Sequence, residues 1–211
     1  MKTCFFCARP EPERVLYESE HFYVLLSLGP IVEGTALLVA KEHFRSMFDL
    51  PPNLSATYTA EKARLKQLIN TVYGPCIITE HGRVQACLVE DEEAHDLLCY
   101  HAHQIFFPVS ADLSNLFQEG PFEPVFQGHS LFDLPALAEE DEYLLFEDTS
   151  NRVFVNKVLG KCPRQYMRYL VARSVDRPEL TSWARFPEHD RIFAAKEKYL
   201  AALRCPILAF S

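Results

Sequence analysis

The sequence lacks any apolar run close to the roughly 20 residues that a membrane-spanning helix needs, so it predicts no transmembrane segment. The first apolar residues are interrupted at once by Ala8-Arg9-Pro10-Glu11, too soon for the core of a signal peptide, and we therefore expect a cytoplasmic location. Positive charge is also scarce, because 21 Lys and Arg face 29 Asp and Glu, for a net charge of −8. This balance argues against strong nucleic-acid binding, which needs a basic face, but it leaves room for a local basic pocket that holds a small anion.

A disulfide framework is also missing. The chain has seven cysteines, an odd number, and most of them lie in stretches typical of strands or helices. Such cysteines are expected to be reduced thiols or metal ligands. Cys4 and Cys7 form a CxxC pair, which by itself is weak evidence, because it also fits a redox pair or an incidental spacing.

Two histidines stand out in residues 97–108, an apolar and aromatic stretch closed by Pro108 that predicts a strand. His101 and His103 lie two residues apart, so a strand would place both on one face. Two adjacent imidazoles on a buried strand are costly unless a metal, a phosphate or a proton transfer uses them. The alternative is a pair of partly exposed histidines on a sheet surface.

The remaining pattern predicts an antiparallel α+β fold, in which strands precede the last helices and one long helix lies between the third and fourth strands. Residues 1–135 are predicted to form the core and residues 136–211 a C-terminal extension packed on it. The predicted elements are strands at 14–18, 22–27, 35–41 and 76–80, a helix at 54–72, a long loop at 113–135, a hairpin at 143–147 and 152–157, and helices beginning near Pro163 and spanning 188–203.

This order of elements resembles the histidine triad (HIT) superfamily. The resemblance rests on Cys4-x-x-Cys7, the Gly29-Pro30 turn, the run TALLVAKEH at 35–43, and His101-Ala102-His103. It is closest to the branch that includes galactose-1-phosphate uridylyltransferase and the dinucleoside polyphosphate phosphorylases, and the sequence Thr79-Glu80-His81-Gly82 is similar to a motif of some members. The resemblance implies a HIT-like antiparallel sheet with a long helix and a C-terminal extension made of a hairpin and helices.

The resemblance also implies a structural Zn²⁺ ion. Its expected ligands are Cys4, Cys7, His43 and His101. Two thiolates and two imidazoles make the closed tetrahedral set that zinc prefers in structural sites. His81 and His95 are the substitutes if one ligand is misassigned.

The second motif histidine, His103, is the implied catalytic nucleophile. Its imidazole would attack the α-phosphorus of a nucleoside phosphate or dinucleoside polyphosphate and form a nucleotidyl-histidine, later discharged to water, phosphate or a sugar phosphate. Donors must cover the phosphate oxygens as charge develops. The candidates for substrate binding are Lys41, Arg45, Arg164, Arg168 and, if a bulge turns it toward the pocket, Gln104. The implied partner is a small-molecule nucleotide, and a homodimer is implied by the resemblance alone.

Three features depart from the family pattern and leave the function open. Ile105 stands where the motif has a third His or a Gln, Asp96-Leu97-Leu98-Cys99 replaces the usual Gly and Ser, and the acidic run at 90–93 would repel a polyphosphate. The first hypothesis is therefore a nucleotide hydrolase or nucleotidyltransferase. The second is a HIT-like module that binds a nucleotide or a protein without turnover. A hydrolase with a catalytic zinc ranks last, because a closed set of four ligands leaves no open position.

Overall fold

The computed structural model describes residues 4, 6–7, 11–84, 101–117, 119–135, 137–139, 141–163 and 165–204. The predicted site residues His95 and Arg164, the acidic run at 90–93 and residues 96–99 lie outside these ranges. Among the described residues, none of the helices combines the length and the apolar composition needed to span a membrane.

An antiparallel sheet of eight strands forms the centre of the described chain, in the order β1-β2-β3-β5-β4-β7-β8-β6. The strands are β1 (Val15–Glu18), β2 (Phe22–Leu26), β3 (Ala36–Ala40), β4 (Ile77–Gly82), β5 (His103–Phe107), β6 (Phe122–Gly128), β7 (Tyr143–Glu147) and β8 (Val153–Val158). The helices are α1 (Ser55–Tyr73), α2 (Ser114–Phe117), α3 (Tyr166–Ser174) and α4 (His189–Leu203).

The long helix α1 covers one face of the sheet together with α4. Its buried side chains include Leu65, Leu68 and Ile69, whose spacing places them on one side of the helix. The helix ends at Gly74, which adopts a φ of 94° and donates its N–H to the Asn70 carbonyl. A positive φ favours glycine, so this residue fixes the end of the helix and the turn into β4.

The opposite face of the sheet is covered in two parts. Helix α3 packs over Ile77, Phe107 and Phe146 at one end. At the other end, Cys4 and Phe6 cover Tyr23 and its neighbours, and the Tyr23 hydroxyl donates to the Phe6 carbonyl at 3.1 Å. The start of β5 lies between these two groups of residues. The fold therefore places His101 and His103 beside Phe6 of the N-terminal segment.

The predicted α+β class is confirmed, but the predicted loop at 113–135 is wrong, because it contains strand β6. The strand was not predicted because Pro124 and Gly128 are both rare inside a sheet. The structure tolerates them because β6 is the last strand of the sheet and its pairing with β8 shifts register between Pro124 and Phe126.

The predicted boundary between core and extension crosses one continuous sheet. Strand β4 precedes residue 135 and pairs with β7, which follows it, from Ile78 opposite Glu147 to Gly82 opposite Tyr143. Residues after 135 therefore extend the same sheet through β7 and β8, and β8 is also the strand with which the edge strand β6 pairs.

A buried polar network lies between the sheet and α1. Glu80 accepts hydrogen bonds from the Met47 N–H, the Tyr143 hydroxyl and the Gln104 side-chain amide at 2.7, 2.8 and 3.0 Å. The Tyr58 hydroxyl donates to the Gln104 amide oxygen at 2.7 Å. Burial raises the pKa of Glu80 to about 7, even though these three hydrogen bonds favour the charged form.

The raised pKa of Glu80 predicts a pH-dependent contribution to stability. The folded chain holds the proton of this carboxyl between its ordinary pKa of 4.5 and about 7, so the free energy of unfolding falls as pH rises through that interval. In Glu80→Gln this fall is absent. Urea unfolding at several pH values should therefore show the stability of the wild type declining relative to that of Glu80→Gln.

The exposed carboxylate of Glu20, whose side chain is 87% exposed, supplies the matched control. Glu20→Gln should follow the wild type across the same pH range. If the difference in the free energy of unfolding between the wild type and Glu80→Gln does not change with pH, the raised pKa of Glu80 is contradicted.

Candidate metal centre and nucleophile

Two backbone hydrogen bonds hold the histidine segment against the end of β3. The Ala40 N–H donates to the Ala102 carbonyl at 3.1 Å, and the Ala102 N–H donates to the Phe44 carbonyl at 2.7 Å. Because Ala102 is bonded on both sides, His101 lies beside His43, which follows β3. His101 thus precedes β5, and the strand predicted at 97–108 is described only as His103–Phe107.

The structure brings together the four predicted metal ligands, whose donor atoms all lie within 4.8 Å of one another. The Nδ1 atom of His101 is 3.4 Å from Cys4 Sγ, 3.6 Å from Cys7 Sγ and 3.3 Å from His43 Nδ1. Cys7 Sγ is 3.2 Å from His43 Nδ1.

These distances fit a tetrahedral metal site. Bonds of about 2.3 Å to sulfur and 2.0–2.1 Å to nitrogen give a tetrahedron with edges of about 3.3–3.8 Å. The four donor–donor separations given above run from 3.2 to 3.6 Å. The side chains are therefore already spaced as ligands around a common centre.

The environment of His101 sets which nitrogen faces the cluster. Its Nε2 lies 2.7 Å from the Ala40 carbonyl, which can only accept, so Nε2 carries the proton and Nδ1 presents its lone pair to the other donors. Burial lowers the pKa of His101 to about 4, so the imidazole is neutral near pH 7. A neutral imidazole is the form that a metal binds.

The thiols are the part of the cluster whose ionisation a bound cation would favour. Loss of hydration raises the pKa of Cys7 to about 11, with further contributions from the hydrogen bond and charge of Cys4. Two adjacent thiolates repel each other in the absence of a positive charge, and a metal ion removes that penalty when it displaces their protons.

His103 is held in the opposite tautomer. Its Nδ1 lies 2.7 Å from the His101 carbonyl and therefore donates, which leaves the lone pair on Nε2. Burial lowers the pKa of His103, so the ring is neutral near pH 7. The side chain is half-buried, and the ring of Phe6 lies over it with centroids 5.0 Å apart.

His81, which was offered as a substitute metal ligand, lies on β4 beside the strand of His103. It does not belong to the cluster of Cys4, Cys7, His43 and His101. Thr79 of β4 is opposite Ile105 of β5, so the continued register brings His81 toward His103. The His81 Nε2–H donates to the Glu142 carboxylate at 2.5 Å. Glu142 is not among the predicted site residues, because the sequence does not show that β4 pairs with β7.

Gln104 does not share the face of His103. Regular alternation along β5 aims it at α1, where it is fully buried and bonded through both ends of its amide to Tyr58 and Glu80. The bulge that would have turned it toward the pocket is absent from the pairing of described strands β3 and β5, which is regular from Ala36 to Val39.

The predicted phosphate-binding residues on the N-terminal half are engaged in surface ion pairs. The Lys41 ammonium lies 2.8 Å from the Glu18 carboxylate, and the Arg45 guanidinium lies 3.6 Å from Glu139. Both pairs are partly exposed and thus of small energetic weight.

Arg168 has a structural role that the sequence did not reveal. Its buried guanidinium donates to the carbonyls of Gly29, Leu180 and Thr181 and to the Ser27 hydroxyl. Burial lowers its pKa to about 10. These contacts join α3 to the turn after β2 and occupy the guanidinium donors of Arg168.

Comparison with known proteins identifies one sequence family. Residues 8–104 match the family described as the HIT domain. No curated protein matches the chain.

Solved structures show only partial likeness. A zinc-bound histidine triad family protein from Mycobacterium smegmatis is 25% identical, with 50% of this chain and 73% of that one covered at a TM-score of 0.36. A hypothetical histidine triad nucleotide-binding protein from Sulfolobus tokodaii is 19% identical, with 50% and 68% covered at 0.38. A HIT family member from Bacillus subtilis is 21% identical, with 50% and 72% covered at 0.38. Because each TM-score is below 0.5, these structures carry no argument about this chain. The assignment to the HIT family rests on the match of residues 8–104.

The four-donor cluster predicts a specific loss of metal. We expect Cys4→Ser to lower the bound metal by about one equivalent per chain, because a hydroxyl replaces one of two thiolate ligands. Elemental analysis of the purified protein measures this directly. Cys76→Ala is the control, since Cys76 is a free thiol buried in the core beneath α1, and this variant should keep the wild-type metal content. Equal metal content in Cys4→Ser and the wild type would contradict the site.

Proposed function

Since residues 8–104 of this chain belong to the histidine triad (HIT) family, we propose that the protein is a nucleotide hydrolase or nucleotidyltransferase with His103 as its nucleophile. The substrate class is a nucleoside phosphate or a dinucleoside polyphosphate. The reaction passes through a nucleotidyl-histidine intermediate.

The observation that carries this proposal is the 2.7 Å separation between His103 Nδ1 and the His101 carbonyl oxygen, which sets the tautomer of the ring. The hydrogen bond from Nδ1 to the His101 carbonyl leaves Nε2 as the basic nitrogen, on a neutral ring that is half-buried. A neutral imidazole nitrogen with a fixed orientation is the form that attacks phosphorus, and the bond to the backbone carbonyl stabilises the positive charge that develops on the ring.

Two in-line displacements account for the reaction. In the first, His103 Nε2 forms a bond to the α-phosphorus while the bond from that phosphorus to the leaving phosphate oxygen breaks, and the leaving group departs with the bonding electrons. In the second, the acceptor oxygen bonds to the phosphorus, the P–N bond breaks and the electron pair returns to Nε2. The acceptor classes are water, phosphate and a sugar phosphate.

We propose that the ion at Cys4, Cys7, His43 and His101 is a structural Zn²⁺. When bound, it supplies the positive charge that keeps both thiols deprotonated, and it uses all four ligands, which leaves no position for a substrate. This closed set argues against the reading in which this metal is catalytic. The site residues hold Phe6 over the ring of His103, so the N-terminal segment forms one wall of the nucleophile's surroundings.

A second candidate function is a HIT-like module that binds a nucleotide or a protein without turnover. Ile105 favours it, because an apolar side chain follows His103 on the same face where a hydrogen-bond donor would assist the leaving group. Nucleotide binding that survives His103→Ala, with no product formed by the wild type, would support this candidate.

The proposed mechanism predicts a covalent adduct on His103. Incubation with a dinucleoside polyphosphate labelled at the α-phosphorus should leave label on the chain that is lost in acid, as expected for a P–N bond. In His103→Ala the adduct is absent and turnover falls by at least about a thousandfold, because the covalent route is closed. Mass spectrometry of the labelled peptide locates the nucleotide.

The exposed His129 provides the matched control for this experiment. His129→Ala should keep wild-type labelling and turnover, and His103→Ala should keep the wild-type metal content. The absence of both adduct and turnover across a panel of nucleotides would refute the enzymatic proposal and leave the binding module.

A further inference from the structure

A second cluster of metal-ligating side chains lies away from the four-donor site. The donor atoms of His81, Glu142 and Cys162 all lie within 4.8 Å of one another, and all three residues are half-buried. We propose that these three residues form a second zinc site, in addition to the site at the N-terminal segment. This inference does not depend on the proposed nucleotide chemistry.

The sheet brings the three donors together from distant parts of the chain. His81 of β4 is opposite Leu144 of β7, so Glu142, two residues before Leu144, lies diagonally across on the same face. The Val158 N–H donates to the Glu142 carbonyl at 2.9 Å, which joins the end of β8 to the same point. Cys162 follows four residues later. The pairing of β7 with β4 on one side and with β8 on the other therefore brings His81, Glu142 and Cys162 together.

The chemistry of the three donors suits zinc. A thiolate, an imidazole and a carboxylate are its usual protein ligands, whereas Mg²⁺ and Ca²⁺ prefer oxygen alone. Three protein ligands also leave a fourth tetrahedral position for water or an anionic oxygen. The site would thus differ from the closed N-terminal set in having an open position.

The described contacts of Cys162 leave its sulfur available as a metal ligand. The only hydrogen bond that the structure describes for Cys162 Sγ is a weak one to the Pro163 carbonyl at 3.6 Å. Burial, with the charge of Glu142, raises the pKa of this thiol to about 12, so a neutral Cys beside the His81–Glu142 pair is the arrangement without an ion. A bound cation would offset the cost of ionising it.

Metal counting on the 211-residue chain tests the proposal. After removal of metals with a chelator and dialysis against excess Zn²⁺, elemental analysis should give about two zinc ions per wild-type chain. Cys162→Ser and Glu142→Gln should each bind about one, and Cys4→Ser should also bind about one. The double variant Cys4→Ser/Cys162→Ser should bind almost none.

Asp141 supplies the matched control, because this neighbouring carboxylate pairs with Lys157 at 2.7 Å and takes no part in the cluster. Asp141→Asn should keep the wild-type stoichiometry, and circular dichroism checks that each variant is folded. If Cys162→Ser fails to fold, the nearly isosteric Glu142→Gln decides the outcome.

Two results would overturn the proposal. One is a wild-type chain that binds a single zinc ion, which Cys4→Ser removes. The other is a folded Glu142→Gln that keeps two ions, which would identify the cluster as a hydrogen-bonded His–Glu pair beside an uninvolved thiol. His103→Ala separates this test from that of the proposed function, because it should abolish nucleotide transfer while both zinc ions remain bound.

Discussion

Two backbone carbonyls determine what the histidine pair can do. Ala40 accepts from His101 Nε2, and the His101 carbonyl accepts from His103 Nδ1, both at 2.7 Å. A neutral imidazole has one donor and one acceptor nitrogen, so each bond also decides where the remaining lone pair points. His101 therefore presents Nδ1 to the cysteines, and His103 presents Nε2 away from them. The different surroundings of the two rings follow from main-chain positions that β3 and β5 already fix.

The N-terminal segment connects the four-donor cluster to His103. The ring of Phe6 lies 5.6 Å from that of His101 and 5.0 Å from that of His103, and Cys4 and Cys7 on either side of it belong to the cluster. A short segment near a chain end is ordered only when contacts hold it down. A metal ion bound by Cys4 and Cys7, as we propose, would therefore also hold Phe6 beside the ring of His103.

The sequence predicted the parts of the fold that have strong local patterns. Helix α1, the hairpin of β7 and β8, and the all-apolar strands β2 and β3 were placed within a few residues, because apolar periodicity and turn residues identify them. Strand β6 was not predicted, because Pro124 and Gly128 are tolerated in an edge strand but are typical of a loop in the local sequence.

The candidate site was predictable where residue type limits the chemistry, and not where tertiary contacts decide it. The family resemblance implied the ligand set Cys4, Cys7, His43 and His101, and the residue types agree with it, because two thiolates and two imidazoles suit zinc. Arg168 and Gln104 could not be placed, because nothing in their local sequence shows that carbonyls of a distant turn or a buried carboxylate would use their donors. Glu142 and Cys162 depend on the pairing of β4 with β7, a contact between residues about 60 apart in sequence.

The pairing of β4 with β7 has a consequence for any shortened form of this protein. A fragment that stops at residue 135 would lose β7 and β8 and leave the N–H and C=O groups along one side of β4 without partners. Open strand edges with apolar neighbours recruit other chains, and Ile77 and Ile78 would lie along this one. Such a fragment, which contains the residues of the family match, is therefore expected to aggregate when expressed by itself.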